Sequence, residues 1–370
     1  MKILIIPDSF KGSLKAIEVC THIKNGLIQS NSDLDISMLP FSDGGEGLID
    51  CILYNQKGSK VSIPTFDPLG RKINAAYGQL KDNTAIVEIA EASGLTLLKP
   101  EERNPLVTST YGTGLIIKAA IENGNRKIIL GLGGSATNDG GAGILQALGV
   151  QLLDKYDKPI NHGNVGLSTI HSLKTDLVPR EVYETTFIIA SDVENPLTGP
   201  QGASFIYGPQ KGAQDSELAI LEYSILSFAK VLQQQCKPNI LTLKGGGAAG
   251  GAAIGLLSLF DASIKPGFNL ISRMLGLESI IEDTDLIITG EGKLDTQSLQ
   301  GKVTVSVAKL ASFHSKELMG IVGIIEGDPK EYEKLGFTKL VSIQELAANT
   351  EDSMKHAGKY LEQLSKKILD

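Results

Sequence analysis

Carboxylates recur along this chain at one kind of position, where a short apolar run gives way to glycine-rich loop. Lys2–Pro7 leads into Asp8-Ser9-Phe10-Lys11-Gly12-Ser13, and Ile36–Pro40 into Ser42-Asp43-Gly44-Gly45-Glu46-Gly47. Lys127–Leu130 leads into the long loop from Gly131 to Gly141. Thr186–Ala190 leads into Ser191-Asp192-Val193-Glu194-Asn195-Pro196, and Leu286–Thr289 into Gly290-Glu291-Gly292-Lys293-Leu294-Asp295. In parallel α/β sheets ligands bind outside the carboxyl ends of the strands. Exposed amides there suit phosphate, and neighbouring carboxylates suit Mg²⁺. The combination predicts phosphoryl transfer.

The roles divide by chemistry. Asp8, Asp43 and Glu291 are the candidates for holding Mg²⁺. Lys11, Lys293 and Lys302 are candidates for pairing with phosphate or carboxylate. Ser9 and the loop residues Gly133, Gly134, Ser135 and Asn138 would bind an anion, mainly through amides. Asp192 is the first choice for the base that takes the proton of an attacking hydroxyl, with Asp295 second and Lys293 beside it. Each has a plainer alternative: a helix cap, a solvated turn, or a tight backbone crossing. Lys244–Gly251 in particular reads equally as a close-approach loop or as helix packing.

Gly131–Ala136 also matches the G-x-G-x-x-A dinucleotide pattern, with Asp154 ending a later strand. The polar loop continues past it through Asn138, so the helix is expected to start beyond the glycines, which fits an anion nest better. No Gly-x-x-x-x-Gly-Lys-Ser/Thr loop occurs. Around Gly292-Lys293 the required positions hold Ile287 and Leu294. Kinase H-R-D and D-F-G signatures and a Gly-x-Ser-x-Gly elbow are likewise missing from the sequence. The five histidines show no metal spacing.

The elements that must carry these loops follow from periodicity. Strands are expected near 2–6 and 35–40, each followed by a helix, at 13–29 and 45–55. Ser13 would cap the first, with Leu14, Ile17, Cys20 and Leu27 on its buried face. Asp67-Pro68-Leu69-Gly70, between β-like residues, predicts a hairpin and a change of domain. The middle mixes strands (84–90, 127–131, 150–153, 186–190) with helices (111–123, 140–148, 216–235, 270–277). The βα alternation returns from 284, with strands at 285–289, 318–323 and 338–342, a helix at 302–311 and another ahead of the last strand. A closing helix at 351–368 would bury Met354, Leu361, Leu364 and Ile368. The expected architecture is therefore a flavodoxin-like parallel-sheet domain (1–64 plus 284–370) interrupted by a large inserted mixed α/β domain (65–283), with the active site in the cleft between them.

Composition narrows the class. A chain of 370 residues with 42% hydrophobic residues can build two cores. A net charge of −7, without a basic run, argues against nucleic acid. The longest uncharged stretch, Gly245–Phe260, is too short and glycine-rich to span a membrane. Cys20, Cys51 and Cys236 lack zinc spacing and read as structural thiols of a reducing cytoplasm.

Taken in order, PDSFKGS (7–13), SDGGEG (42–47), GRK (70–72), EERNPL (101–106), YGTG (111–114), GLGGSATNDGGAG (131–143), DVENPLTGP (192–200), GPQKGA (208–213) and TGEGKLD (289–295) closely resemble the bacterial glycerate kinase family of the first type. The resemblance spans nearly the whole chain. It implies a two-domain cytoplasmic α/β kinase with ATP, Mg²⁺ and glycerate as its small-molecule partners, leaning to 2-phosphoglycerate as product and leaving a homo-oligomer open. It carries over no residue-level catalytic assignment. Two other readings of the loops are a nicotinamide-dependent hydroxy-acid oxidoreductase and a non-catalytic small-anion-binding regulator.

Overall fold

The computed structural model describes residues 1–235, 240–295, 298, 301–326, 332 and 334–370. Cys236 and most of the stretch expected to be helical ahead of the last strand lie outside them. The chain divides into two compact units. One comprises Met1–Asp43, Asp50–Gln56 and Phe268–Asp370; the other comprises Gly44–Ile49 and Lys57–Gly267. Among the described residues no helix is long and apolar enough to cross a membrane.

The first unit is built on a five-stranded sheet in the order Lys339–Ser342, Glu317–Val322, Leu286–Gly290, Lys2–Pro7, Asp35–Met38, all parallel. Ile3, Leu4, Ile5, Ile6, Leu286, Ile287 and Ile288 are all buried. Such unbroken apolar runs mark strands covered on both faces, as parallel sheets require. The strand order reverses beside Lys2–Pro7, whose register sets Pro7 opposite Gly290. Asp8 and Glu291 therefore leave the sheet side by side at its carboxyl edge.

Three local expectations change here. The first helix is Ala16–Ser30, and it buries Val19, Cys20, Ile23 and Leu27, while Ile17 is only half-buried. Ser13 does not cap it. Its hydroxyl donates to the Met354 carbonyl at 2.6 Å, and Glu18 instead accepts from the Lys15 amide at 2.8 Å. The second helix starts late, at Leu48, because Gly44 and Gly47 hold φ of 99° and 88° that a helix cannot use. The closing helix is broken at His356 into Thr350–Lys355 and Ala357–Ser365. The break turns Met354 outward, 45% exposed, while Leu361 and Ile368 stay inside.

The second unit carries a six-stranded mixed sheet: Asp261–Lys265, Thr186–Ala190, Lys127–Gly131, Thr84–Glu88, Lys72–Leu80, Gly58–Phe66. The first four strands run parallel, and the last two form an antiparallel hairpin closed by Asp67–Arg71. Asp67 Oδ1 accepts from the Leu69 and Arg71 amides at 2.9 and 2.8 Å, which is why an Asp-Pro-Leu-Gly turn forms there. Two strands escape the periodicity. Asp261–Lys265 is a half-exposed edge, and Ile170–Lys174 pairs only with Gln151–Asp154 in a separate ribbon.

Candidate active site

In the first unit, the loops after Lys2–Pro7 and Leu286–Gly290 touch by their backbones. The Asp8 amide donates to the Gly290 carbonyl at 2.8 Å. A side chain at Gly292 would meet the Phe10 Cα at 3.0 Å, and one at Gly323 would collide with the Gly292 carbonyl. Glycine at these positions lets three strand ends converge. Asp8, Asp43 and Glu291 are gathered by that convergence. Burial, then the charges of Asp43 and Glu291, hold the Asp8 carboxyl well above the usual carboxylate range, against an amide donated by Ser9 at 2.6 Å.

Glu291 is 4% exposed, and burial pushes its carboxyl up to about 7. Lys302 and Ser298 pull the other way. Lys302 Nζ lies 3.7 Å from Glu291 Oε2 and 3.7 Å from Asp295 Oδ1, and Ser298 Oγ donates to Glu291 Oε2 at 3.0 Å. Glu291 Oε1 has no hydrogen-bond partner among the described residues. Asp295 Oδ1 also accepts from the Ser298 amide at 3.0 Å. Lys293 is turned to Glu326 at 2.7 Å, with Asp295 at 3.7 Å. Lys302 sits at the N-cap of helix Val303–Phe313. Ser9 is half-buried beside Asp8, and Lys11 is exposed. The structure thus groups Asp8, Asp43, Glu291, Asp295, Lys293 and Lys302. Ser298 joins them with no motif to mark it, a serine in an ordinary polar turn.

In the second unit the register aligns four strand ends. Gly131 stands opposite both Glu88 and Ala190, and Ala190 opposite Lys265. The Gly44–Gly47 loop lies over this edge. Side chains at Gly131 and Gly133 would strike Gly44 and Gly45, and the Gly133 amide donates to the Gly44 carbonyl at 3.3 Å. The buried Glu88 carboxylate accepts from the Gly47 amide at 2.9 Å and the Ile49 amide at 2.6 Å, fixing the start of helix Leu48–Asn55.

The 131–141 loop is two different things along its length. Gly133 and Gly134 are half-exposed, and Gly134 has φ of 75°. Among the described residues the Gly134 and Ser135 amides donate to nothing. Thr137, Asn138 and Asp139, by contrast, are fully buried. Asp139 Oδ2 accepts from the Thr110 amide and hydroxyl, both at 2.8 Å, and Oδ1 from the Gly141 amide at 3.1 Å. Asn138 Nδ2 donates to Ser204 Oγ at 3.3 Å. Asn138 therefore stands inside the fold, and the accessible part of the loop is Gly133–Gly134. Helix Ala142–Ala147 begins after Gly140 and Gly141 and takes in Gly143.

Behind the loop lies a buried lysine. Lys211 is 2% exposed, with Nζ donating to Ser135 Oγ at 3.0 Å and to the Thr137 carbonyl at 2.6 Å. Burial depresses its ammonium to about 7, with Asp139 opposing. Its only trace in the sequence is the lysine of Gly208-Pro209-Gln210-Lys211-Gly212, where nothing marks it as internal.

Asp192 is exposed, and its Oδ1 accepts from the Gly267 amide at 3.0 Å. Lys244–Gly251 is a close-approach loop. The Gly245 and Gly247 amides donate to the Glu194 and Asn195 carbonyls at 3.2 and 2.9 Å, and Gly140 donates to Gly250 at 3.0 Å. It ties the Asp192 loop to the 131–141 loop. Asp154 is spent on a turn, accepting from the Tyr156 and Lys158 amides at 2.8 and 3.0 Å, and its strand lies outside the main sheet. That removes the acid that a dinucleotide site would need on the neighbouring strand.

The comparisons agree with one another. The family model described as the glycerate kinase family matches residues 3–370. A glycerate kinase of Bacillus subtilis is 39% identical over 369 residues, covering 100% of this chain and 97% of the relative. The glycerate 2-kinase of Escherichia coli is 39% identical over 344 residues, 93% of this chain and 90% of its own. A solved structure described as a glycerate kinase 2 from Salmonella typhimurium LT2 superposes with a TM-score of 0.85 at 37% identity, covering 100% of this chain and 97% of that one. With the α/β architecture and these loops, the match over the full length places the chain in the glycerate kinase family.

Proposed function

We propose that this protein transfers the γ-phosphoryl group of ATP to a hydroxyl of glycerate, giving 2-phosphoglycerate. Family membership supplies the reaction class, and the relative named as a glycerate 2-kinase supports the position of transfer. The observation in the molecule itself that supports the reading is the grouping of Asp8, Asp43 and Glu291 with Lys302 where the parallel strand order reverses. Family membership supports neither an oxidoreductase nor a regulator.

Mg²⁺ fits this set. Asp43 and Glu291 raise the proton affinity of Asp8, and Glu291 Oε1 lacks a partner among the described residues. Among those residues no group of three or more His, Cys, Asp or Glu is placed to hold an ion unaided. That suits a cation held by one or two carboxylates and completed by phosphate oxygens and water. When bound, Mg²⁺ would neutralise charge on the transferring phosphates.

One or two of Asp8, Asp43 and Glu291 would hold the ion, and Lys302 and Lys293 would meet phosphate charge. Lys11 and Ser9 would border the phosphates. Gly134 and Ser135 would bind an anionic group through their amides beside Gly133, whose own amide is held by the Gly44 carbonyl, with Asn138 holding the loop's shape from within. Asp192 is the proposed base at the hydroxyl, with Asp295 as the alternative; phosphoryl transfer asks mainly for position and charge stabilisation. A cytoplasmic location belongs to the same reading, and the buried thiols Cys20 and Cys51, which form no disulfide, fit a reducing compartment. The test is ADP release that depends on glycerate. ADP release indifferent to glycerate contradicts the proposal.

A further inference from the structure

A lysine buried to 2% exposure needs a counter-charge, and among the described residues Lys211 has none in contact. Its two acceptors, Ser135 Oγ and the Thr137 carbonyl, are neutral. Taking an ammonium out of water costs several kcal/mol unless it is paired. The lysine is nonetheless built in. It ends the short turn Pro209–Lys211, closed by Gly212 at φ 98°, where any side chain would strike the Arg103 carbonyl. Asp139 in the loop is the charged group that acts on it, and Arg103 lies beside Gly212; helix Asp215–Gln235, which follows in the chain, carries Asp215, Glu217, Glu222 and Lys230. Of these Asp139 favours its charge, but both Asp139 oxygens are already engaged by Thr110, Gly141 and Gly143. In the same loop the Gly134 and Ser135 amides donate to nothing among the described residues.

We infer that Lys211 is a positioning residue for the 131–135 loop, holding Ser135 and Thr137 in place and supplying from behind the positive charge that an anionic oxygen group needs when it binds the Gly134 and Ser135 amides. The group is a carboxylate or a phosphate oxygen, and the inference deepens the glycerate kinase reading on which it rests. An anion in the loop completes the missing pair, so binding and protonation of Lys211 are linked. The free lysine is depressed to about 7. The sign follows. Below about 7 the ammonium is already charged and affinity is full. Above it, the anion must draw a proton onto the lysine, so affinity falls with rising pH and protons are taken up on binding.

Titration calorimetry of the metal-free protein at pH 7 and pH 8.5, in buffers of different ionisation enthalpy, reads this directly. Glycerate, ADP and inorganic phosphate are the separate probes, so the arms distinguish carboxylate from phosphate. We expect proton uptake for at least one probe, larger at pH 8.5, and affinity weakened up to about tenfold per pH unit above the lysine's value. Lys211→Met should abolish the uptake and weaken that probe about tenfold or more at pH 7, whereas Lys211→Arg should bind without uptake. Should Lys211→Met not fold, the same uptake must persist in Glu291→Gln, which removes the other group near 7. Binding with no proton linkage at pH 8.5, uptake lost with Glu291→Gln but kept in Lys211→Met, or no binding of any probe overturns the inference. Glycerate-dependent ADP release in the native protein is scored separately. Turnover without linkage sinks the inference alone, and linkage with phosphate but no glycerate turnover sinks the kinase reading alone.

Discussion

The acidic cluster of the first unit and the glycine loop of the second handle charge in opposite ways. In the cluster, three carboxylates crowd one strand edge with Lys302 3.7 Å from the innermost. In the loop, the accessible surface is bare backbone, and the cation Lys211 is hidden behind it. Burial brings a member of each group to about 7, raising Glu291 and lowering Lys211. The same desolvation penalises whichever form is charged. A site of the first kind is prepared for a cation, and a site of the second for an anion. A kinase acting on a small hydroxy acid has use for both.

The largest expected effect comes from the residue that belongs to neither group. Asp192→Asn keeps the volume and the acceptor for the Gly267 amide. If Asp192 is the base, kcat should fall by about 10²–10⁴-fold with the KM for ATP little changed. Near-parental turnover across a magnesium titration would remove Asp192 from the chemistry and pass the role to Asp295.

The next effect is on stability, and its sign separates the two regions. The folded Glu291 carboxyl holds its proton to about 7, while the unfolded one releases it near 4.5. Between those values the folded state binds more protons, so stability present at low pH is lost as pH rises through 7. The loss is about 3 kcal/mol at full shift. Glu291→Gln should remove that loss, giving a higher Tm than the parent at pH 8 in metal-free buffer while turnover drops. Asp8→Asn should shift Tm in the same direction, since repulsion by Asp43 and Glu291 disappears. A lower Tm for both at pH 8 would show that the cluster is not electrostatically strained. Lys211 runs the other way: its depressed value makes stability rise with pH from about 7 towards 10.5.

The smallest effect sharpens the loop. At Gly134 an added Cβ meets nothing nearer than Ala90 Cβ at 3.5 Å, but φ is 75°. Gly134→Ala should therefore cost about 1–2 kcal/mol of stability through backbone strain alone. Its effect on the KM for the anionic substrate, measured at a temperature where both proteins are folded, reports whether the amide faces a ligand. An unchanged KM would make this loop a structural crossing.

The strand ends were legible because continuous Ile/Val/Leu runs stop abruptly at a polar residue, and in parallel sheets that stop is where loops carry function. Asp8 and Glu291 follow from that rule. What escaped is set by tertiary contact. Ile17 has the period of a core residue, but Val19 and Ile23 face the sheet. Met354 fits an uninterrupted helix, and the break at His356 turns it out. Asp261–Lys265 is polar because it is a half-exposed edge strand, so alternation and hydrophobicity both miss it. Asn138 resembles Gly134 in sequence context yet is sealed inside by Ser204 and Asn164. Lys211 could be found only by following the chain back to the loop it supports.

The most direct measurement of the central claim is phosphorus NMR of the protein incubated with ATP, Mg²⁺ and glycerate. The account predicts loss of the γ-phosphate signal with an equal gain of a phosphomonoester resonance coupled to the single proton on carbon 2, and ADP in matching amount. Inorganic phosphate alone, a resonance coupled to the two protons of carbon 3, or ATP left intact would each contradict it.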